Sequence, residues 1–255
     1  MDPEELVKTW KDEEQKPFYG WDFSYLNDRM IEEQPLWSYS SRAIELLDQV
    51  SSVIDLGTGG GERFLKLKDY WPRKTLATED YPPNLELAQK RLSPFGAQVV
   101  EVKFDDDALM PFRSGEFDLV LNRHSDFNAI EVARILAQNG TFLTQQIHGL
   151  WAFDLLDVFG VKPQWLEATL EKCIQRLKAA GLIISDSREW SGELSFTDVG
   201  AIVYYLKAVP WLVPGFSVET HLKTLFTLQH RLEENRSLVF VARKYLIEAY
   251  KGPAS

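Results

Sequence analysis

One cysteine, Cys173, stands alone in the chain. It excludes an intrachain disulfide and any metal site built from cysteines. Long apolar runs are missing too: none approaches the roughly 18 residues of a membrane span. The acidic opening Met1-Asp2-Pro3-Glu4-Glu5 lacks the basic-then-apolar order of a secretory signal. Basic residues are in deficit, with 28 Lys and Arg against 38 Asp and Glu and a net charge of −10. Phosphate neutralisation supplies much of the affinity of nucleic-acid binders. The balance therefore disfavours RNA or DNA as partner, although a local basic patch stays compatible with it. These absences set the expectation of a cytoplasmic chain with no membrane partner.

What is present suits one α/β domain with insertions: 255 residues, 45% of them hydrophobic. Four zones differ in pattern. Residues 1–40 are polar, aromatic and irregular. Residues 41–190 alternate β-rich runs with helical stretches. Residues 191–235 break that alternation with two apolar, helix-like segments, and 236–255 return to a strand and a short tail. In the second zone, Ser41–Val50, Glu62–Tyr70, Pro83–Leu92, Ala129–Leu136 and Trp165–Ala180 read as helices. Ser52–Leu56, Thr75–Glu79, Val99–Phe104, Phe117–Asn122, Thr141–Ile147 and Leu182–Trp190 read as strands. Such alternation predicts a parallel sheet covered by helices on both faces.

The first of these strands, Val53-Ile54-Asp55-Leu56, runs straight into Gly57-Thr58-Gly59-Gly60-Gly61 and then a helix. A ligand is expected at such a turn, at the carboxyl end of the strand. The dinucleotide spacing fails, because its third glycine would fall on Glu62, and no lysine makes a P-loop. Asp55 lies two residues before Gly57. A carboxylate there repels a pyrophosphate but attracts an ammonium or a sulfonium. S-adenosylmethionine (SAM) carries both cations and no phosphate, so the electrostatics favour it. Glu79, with Asp80 beside it, ends the second strand at the distance where an acid commonly accepts ribose hydroxyls. Asp105-Asp106-Asp107 follows the third strand and could accept an adenine amino group.

On these residues the sequence resembles class I SAM-dependent methyltransferases across 41–190. The matching segments are Val53–Gly61; Glu79 with Pro82 and Leu85-Glu86-Leu87-Ala88; Asp106-Asp107 with Met110-Pro111-Phe112; and Phe117-Asp118-Leu119-Val120 with Glu131–Leu136. One departure is Gln138-Asn139-Gly140, where the family usually has Pro-Gly-Gly. The Asn-Arg-His after the fourth strand and Thr-Gln-Gln in the fifth are similar to an uncharacterised group. The Glu-x-Ala-Arg helix is distantly similar to large-subunit rRNA guanine methyltransferases. The resemblance implies a Rossmann-like, seven-stranded, mostly parallel sheet with its last strand antiparallel and a helical cap. It implies SAM as cofactor and S-adenosylhomocysteine as product. The cofactor residues it implies are Asp55, Gly57, Thr58, Gly59 and Gly61 along the methionine portion, Glu79 or Asp80 at the ribose, Asp106 or Asp107 at the adenine, and Asn122 as a further cofactor contact.

Acceptor-side residues should follow strands four and five. His124 is the candidate base, with Glu131 or Asp126 orienting it, and Arg123 could bind an anionic acceptor. His148 is the alternative base or a substrate contact. The Asn-Pro-Pro-Tyr type of motif of amino-nucleobase methyltransferases is absent here, and Cys173 lies inside an expected helix, where it suits a buried structural role. Aromatic residues crowd both flanking zones: Phe18, Tyr19, Trp21, Phe23, Tyr25, Trp37 and Tyr39 in one, and Tyr204, Tyr205 and Trp211 in the other. Read as lids over an apolar pocket, with Tyr204 and Trp211 touching the acceptor, they suit a small molecule better than a polynucleotide. Three functions stay open: methylation of a small molecule, methylation of an rRNA or tRNA base, and SAM binding without catalysis.

Overall fold

The computed structural model describes residues 2–103 and 109–253. Its elements in chain order are α1 (Pro3–Glu14), β1 (Met30–Glu32), α2 (Tyr39–Leu47), β2 (Ser52–Leu56), α3 (Glu62–Leu65), β3 (Lys74–Glu79), α4 (Pro82–Leu92), β4 (Gln98–Glu101) and β5 (Phe117–Arg123). They continue with α5 (Ala129–Ile135), β6 (Leu136–Ile147), α6 (Phe153–Val158), α7 (Leu170–Ala179), β7 (Leu182–Phe196), α8 (Val199–Ala208), α9 (Leu222–Asn235) and β8 (Leu238–Lys251).

The strands form one sheet in the order β1-β7-β8-β6-β5-β2-β3-β4. From β4 to β6 every pair is parallel, and β8 runs antiparallel between β6 and β7. The sheet is α/β and mostly parallel, as the resemblance implies, but it has eight strands. The extra one, β1, comes from the N-terminal zone and pairs antiparallel with residues 194–196 of β7. Sequence pattern misses it because three residues carry no readable alternation.

Local chemistry explains most boundaries. Val53, Ile54 and Leu56 are buried and make β2 a core strand. Helix α7 starts at Leu170 rather than Trp165 because the Thr169 hydroxyl caps it, accepting from the Lys172 amide. Gly181, at φ 85°, turns the chain after it. The expected helix 62–70 shrinks to the single turn α3 followed by a 3-10 turn at Lys68–Tyr70. Strand β7 does not stop at Trp190. It continues to Phe196, so the helical part of the following zone begins at Val199. Cys173 is buried in the core beside α7's Leu177. Among the described residues, no helix is long and apolar enough to cross a membrane.

Helices α2 and α4 cover one face of the parallel half, through Ala43, Leu46, Leu47, Ala88 and Leu92, while α5 and α7 cover the other. A further core joins α1, α6, α8 and α9 to the far ends of β7 and β8. The N-terminal zone is tied to that core by Arg29. Its guanidinium donates to both oxygens of Asp198, at 2.7 and 2.9 Å, and to Glu13. Asp198 also caps α8 by accepting from the Ala201 amide at 2.7 Å. Replacing Arg29 by Ala should lower the unfolding free energy by ~1–3 kcal/mol, because it leaves two half-buried carboxylates without a charged donor. Arg29→Lys should recover only part, since an ammonium cannot span both Asp198 oxygens. Urea denaturation of the two variants checks this.

Candidate functional site

The chain leaves β2 toward β3 on one side and returns to β5 on the other, so the strand order reverses between β2 and β5. A crevice opens at such a reversal, at the carboxyl ends of the strands. Here it is a cleft of about 280 Å³, walled by the glycine loop, the turn after β5, and residues of both flanking zones.

The loop is shaped for close approach. Gly57, Gly59 and Gly61 all have positive φ, between 62° and 81°. A Cβ on Gly57 would meet the Ser125 Oγ at 2.1 Å, so the loop lies directly against the turn after β5. Three of its amides are already committed to β3. The Gly57 amide donates to the Thr78 hydroxyl, the Thr58 amide to the Thr78 carbonyl and the Gly59 amide to the Glu79 carboxylate. These donors face β3, and α3 is only one turn long, so the free helix-end donors of a phosphate cradle are not what this loop presents.

Three acids face the cleft instead; Glu62 is taken up by Arg91, which leaves Asp55 and Glu79. Asp55 is held in the neutral form up to about pH 7 by burial, against weaker opposing pulls from Thr58 and Arg123. The Thr58 hydroxyl approaches it outside hydrogen-bond geometry and is itself buried without a partner. Glu79, raised above its ordinary range by burial, accepts from the amides of Gly59, Asp80 and Tyr81. A carboxylate has about four acceptor positions, so one remains for a ligand donor. Asp80 is exposed and absent from the cleft wall. Asp106 and Asp107 lie outside the described residues.

Asn122 is not in the cleft wall, contrary to expectation. Its side chain is fully buried: Nδ2 donates to the Leu56 carbonyl, and Oδ1 accepts from Thr144 and Gln146. Bonded through both its oxygen and its nitrogen, it locks strand ends together.

Arg123 and His124 do line the cleft. His124 adopts φ 58°, an uncommon left-handed conformation for a non-glycine residue, and its Nε2 lies 3.1 Å from Gln145 Nε2. Gln145 Oε1 accepts from the Trp37 indole at 2.9 Å. An indole N–H only donates, so the Gln145 oxygen must face it and its amide nitrogen must donate to His124. That assigns the proton of a neutral His124 to Nδ1 and occupies the Nε2 lone pair. Burial, then the Arg123 charge, holds the ring's pKa well below the usual histidine value. The imidazole is thus a neutral donor, with neither nitrogen free to take a proton. Glu131 does not orient it: that carboxylate binds Arg134 and the Met110 amide. Asp126 sits by Arg176.

The remaining candidates divide. His148 is buried away from the cleft, accepting from the Leu150 amide and facing Glu189 at 3.5 Å. Tyr204 packs among Phe18 and Tyr25, also off the cleft. Trp211 does line it and stacks on Trp21, with ring planes parallel within 1° and centroids 5.8 Å apart. Arg63, Tyr39 and Ser125 are cleft residues that sequence reading did not single out as a set. Arg63 stands two positions after the last loop glycine, but nothing in its spacing marks it.

Residues 54–144 match the family model described as "Methyltransferase domain". The chain carries a class I methyltransferase domain. SAM-dependent methyl transfer is its general chemistry, and such an enzyme has a methyl acceptor as substrate. Among solved structures, the YcgJ protein from Bacillus subtilis is 17% identical and superposes at a TM-score of 0.59, covering 85% of this chain and 99% of that one. A SAM-dependent methyltransferase from Mesorhizobium loti is 13% identical, with a TM-score of 0.51 and coverage of 84% and 98%. The [4+2]-cyclase SpnF, 12% identical, matches at 0.52 over 98% and 94%. Identities this low speak to fold, and the presence of a cyclase among these structures shows that fold alone does not name a reaction. No curated protein matches the chain.

The His124 assignment has a direct check. Imidazole ¹⁵N spectra should show His124 protonated at Nδ1, unprotonated at Nε2 and unchanged from pH 8 to 6. In Gln145→Leu the tautomer preference should be lost. A ring that gains a second proton above pH 6 would contradict the assignment.

Proposed function

We propose that this protein transfers the methyl group of SAM to a small-molecule acceptor enclosed between the turn after β5 and the Trp21–Trp211 pair. The observation that carries the reading is that pair. Two zones far apart in sequence bring one indole each over the glycine loop, where Trp21 Cβ stands 3.5 Å from the position of a Cβ on Gly59. A cleft of about 280 Å³ roofed in this way suits a small ligand, and the net charge of −10 does not suit a polynucleotide. On this reading residues 1–40 form a lid, 41–190 the core, and the helical part of 191–235, which begins at Val199 beyond the end of β7, a cap inserted before the last core strand β8.

The walls fit the cofactor. Two acids, a buried hydroxyl without a partner and three loop amides turned to β3 suit a cationic ligand without phosphate. Asp55 and the Gly57–Gly61 loop would hold the methionine portion, and Glu79 the ribose. SAM when bound supplies an electrophilic methyl group on a sulfonium. The chain's residues supply position: the Ser125 turn fixes the loop, the neutral His124 offers an Nδ1 donor to the acceptor side, and the tryptophans exclude water. With no free base at His124, rate must come chiefly from alignment, and the acceptor atom must be nucleophilic without losing a proton to that residue.

Asp55→Ala and Glu79→Ala should each weaken SAM binding ~10-fold or more, the scale of a lost charged hydrogen bond. Calorimetric titration checks it, and wild-type affinity in both would refute the cofactor assignment. Protonation gives a sharper signature. Because burial raises the Asp55 pKa to about 7 in the free protein, its neutral form stabilises the fold at low pH, and that contribution fades as pH rises through 7. A bound cation reverses the preference. SAM binding near pH 6.5 should therefore release a fraction of a proton, seen as a dependence of binding heat on buffer ionisation enthalpy. Asp55→Asn should abolish that dependence and should also lessen the loss of thermal stability between pH 5 and 8.

A further inference from the structure

Partly sheltered arginines elsewhere in this fold have carboxylate partners. Arg29, Arg42, Arg91 and Arg134 each lie 2.6–2.7 Å from an Asp or Glu oxygen. Arg63 and Arg123 have no hydrogen bond or ion pair among the described residues, although the chain has ten more acids than bases. Both line the cleft, Arg63 from the start of α3 and Arg123 from the end of β5. They are near enough to repel one another: each guanidinium is held below its ordinary pKa chiefly by burial, and Arg123 further by Arg63.

The carboxylates in reach are otherwise engaged. Glu32 accepts from Lys244 and from the Trp151 indole. Asp55 stands at the methionine end and makes no ion pair with Arg123. Beside the arginines, the Tyr39 hydroxyl is buried, close to the Asn122 backbone but outside hydrogen-bond geometry, and has no partner. The half-buried Arg123 guanidinium and the buried Tyr39 hydroxyl are left unpaired, which is costly, and the exposed Arg63 lines the same cleft, so together they make a half-filled binding site. Guanidinium forks match planar or tetrahedral oxyanions.

We infer that the methyl acceptor carries an anionic group, a carboxylate or phosphate, and that Arg63, Arg123 and Tyr39 bind it. This rests on the small-molecule reading above and narrows it. The anionic group is the handle and not the methylated atom, since guanidinium hydrogen bonds tie up its lone pairs. The nucleophile is then a second, uncharged group on the same molecule. In a protein of net negative charge, such a cleft also selects for anions that enter it over those that meet the surface.

Carboxylate chemistry has a second source, the cofactor's own methionine, and the test separates the two. The full-length protein is saturated with S-adenosylhomocysteine, so the cofactor's carboxylate is already in place. Inorganic phosphate or acetate is then added at constant ionic strength with chloride as control, and thermal unfolding is followed. Wild type should gain about 2 °C or more over chloride. Arg63→Gln and Arg123→Gln should lose that gain while binding S-adenosylhomocysteine within about twofold of wild type. Absence of any oxyanion-specific shift in the wild-type complex overturns the inference without touching the methyltransferase reading, and needs no variant to fold. A tenfold or greater loss of S-adenosylhomocysteine affinity in folded Arg variants also overturns it, assigning the arginines to the cofactor's carboxylate. If wild type does not bind S-adenosylhomocysteine at all, the reading beneath it falls as well.

Discussion

The buried amide of Asn122 sets the geometry on which the cleft depends. It donates to the Leu56 carbonyl where β2 becomes the glycine loop, and it accepts from Thr144 and Gln146 on β6. Gln146 in turn donates to the Ser125 carbonyl. One side chain thereby fixes the ends of β2, β5 and β6 relative to each other and holds the turn that presses Ser125 against Gly57. Backbone hydrogen bonding within the sheet fixes strand register but not the path of the chain beyond the strand ends. A buried amide bonded through both ends does this, and its burial keeps it out of the cleft wall.

How legible each part was follows from how local its cause is. The β2–loop unit, Glu79 at the end of β3 and the strand–helix alternation are written in consecutive residues, so periodicity and glycine placement reveal them. The start of α7 was read five residues early, at Trp165, because apolar spacing was followed past the Thr169 cap. Strand β1 was hidden, since three residues show no pattern and gain their identity from pairing with the extension of β7. Roles that depend on partners distant in sequence were hidden too. His124 looks like a base until Trp37, 87 positions earlier, is seen to orient Gln145 against it. Glu131 looks available until Arg134 and the Met110 amide are counted. Arg63 is an exposed residue of a short helix, and its place in the cleft wall depends on the fold around it, which no local pattern displays.

Charge is divided along the cleft. At the loop end stand Asp55 and Glu79, both held above ordinary carboxylate pKa by burial. At the turn after β5 stand Arg123 and, from α3, Arg63, both held below ordinary guanidinium pKa for the same reason. Desolvation makes each half costly in the free protein, and each half gains when the opposite charge arrives. A ligand pair with a cation at one end and an anion at the other relieves both. Had the acids and arginines paired with each other, the cleft would be electrostatically quiet and would favour neither ligand. No ion pair forms across it, so the strain of charge separation is available for binding.

The proposed lids are not free flaps. Glu32 belongs to β1, which is paired to β7, and its carboxylate is bound by Lys244 and Trp151. Arg29 fastens the same segment to Asp198 at the start of α8. Wholesale opening of the N-terminal zone would break these contacts together, including a charge partnership for the buried Lys244. The stretch carrying Trp21 lies between α1 and β1 and is held by aromatic packing: Trp21, 39% exposed, meets Phe18, Phe23 and Trp211, and Phe18 and Phe23 pack against the core around α8. Trp211, 41% exposed, is anchored through its carbonyl by Gln164. The roof over the cleft is thus held by ring contacts and one hydrogen bond, while charged contacts and strand pairing hold β1, so the two parts of the N-terminal zone are fixed by different interactions.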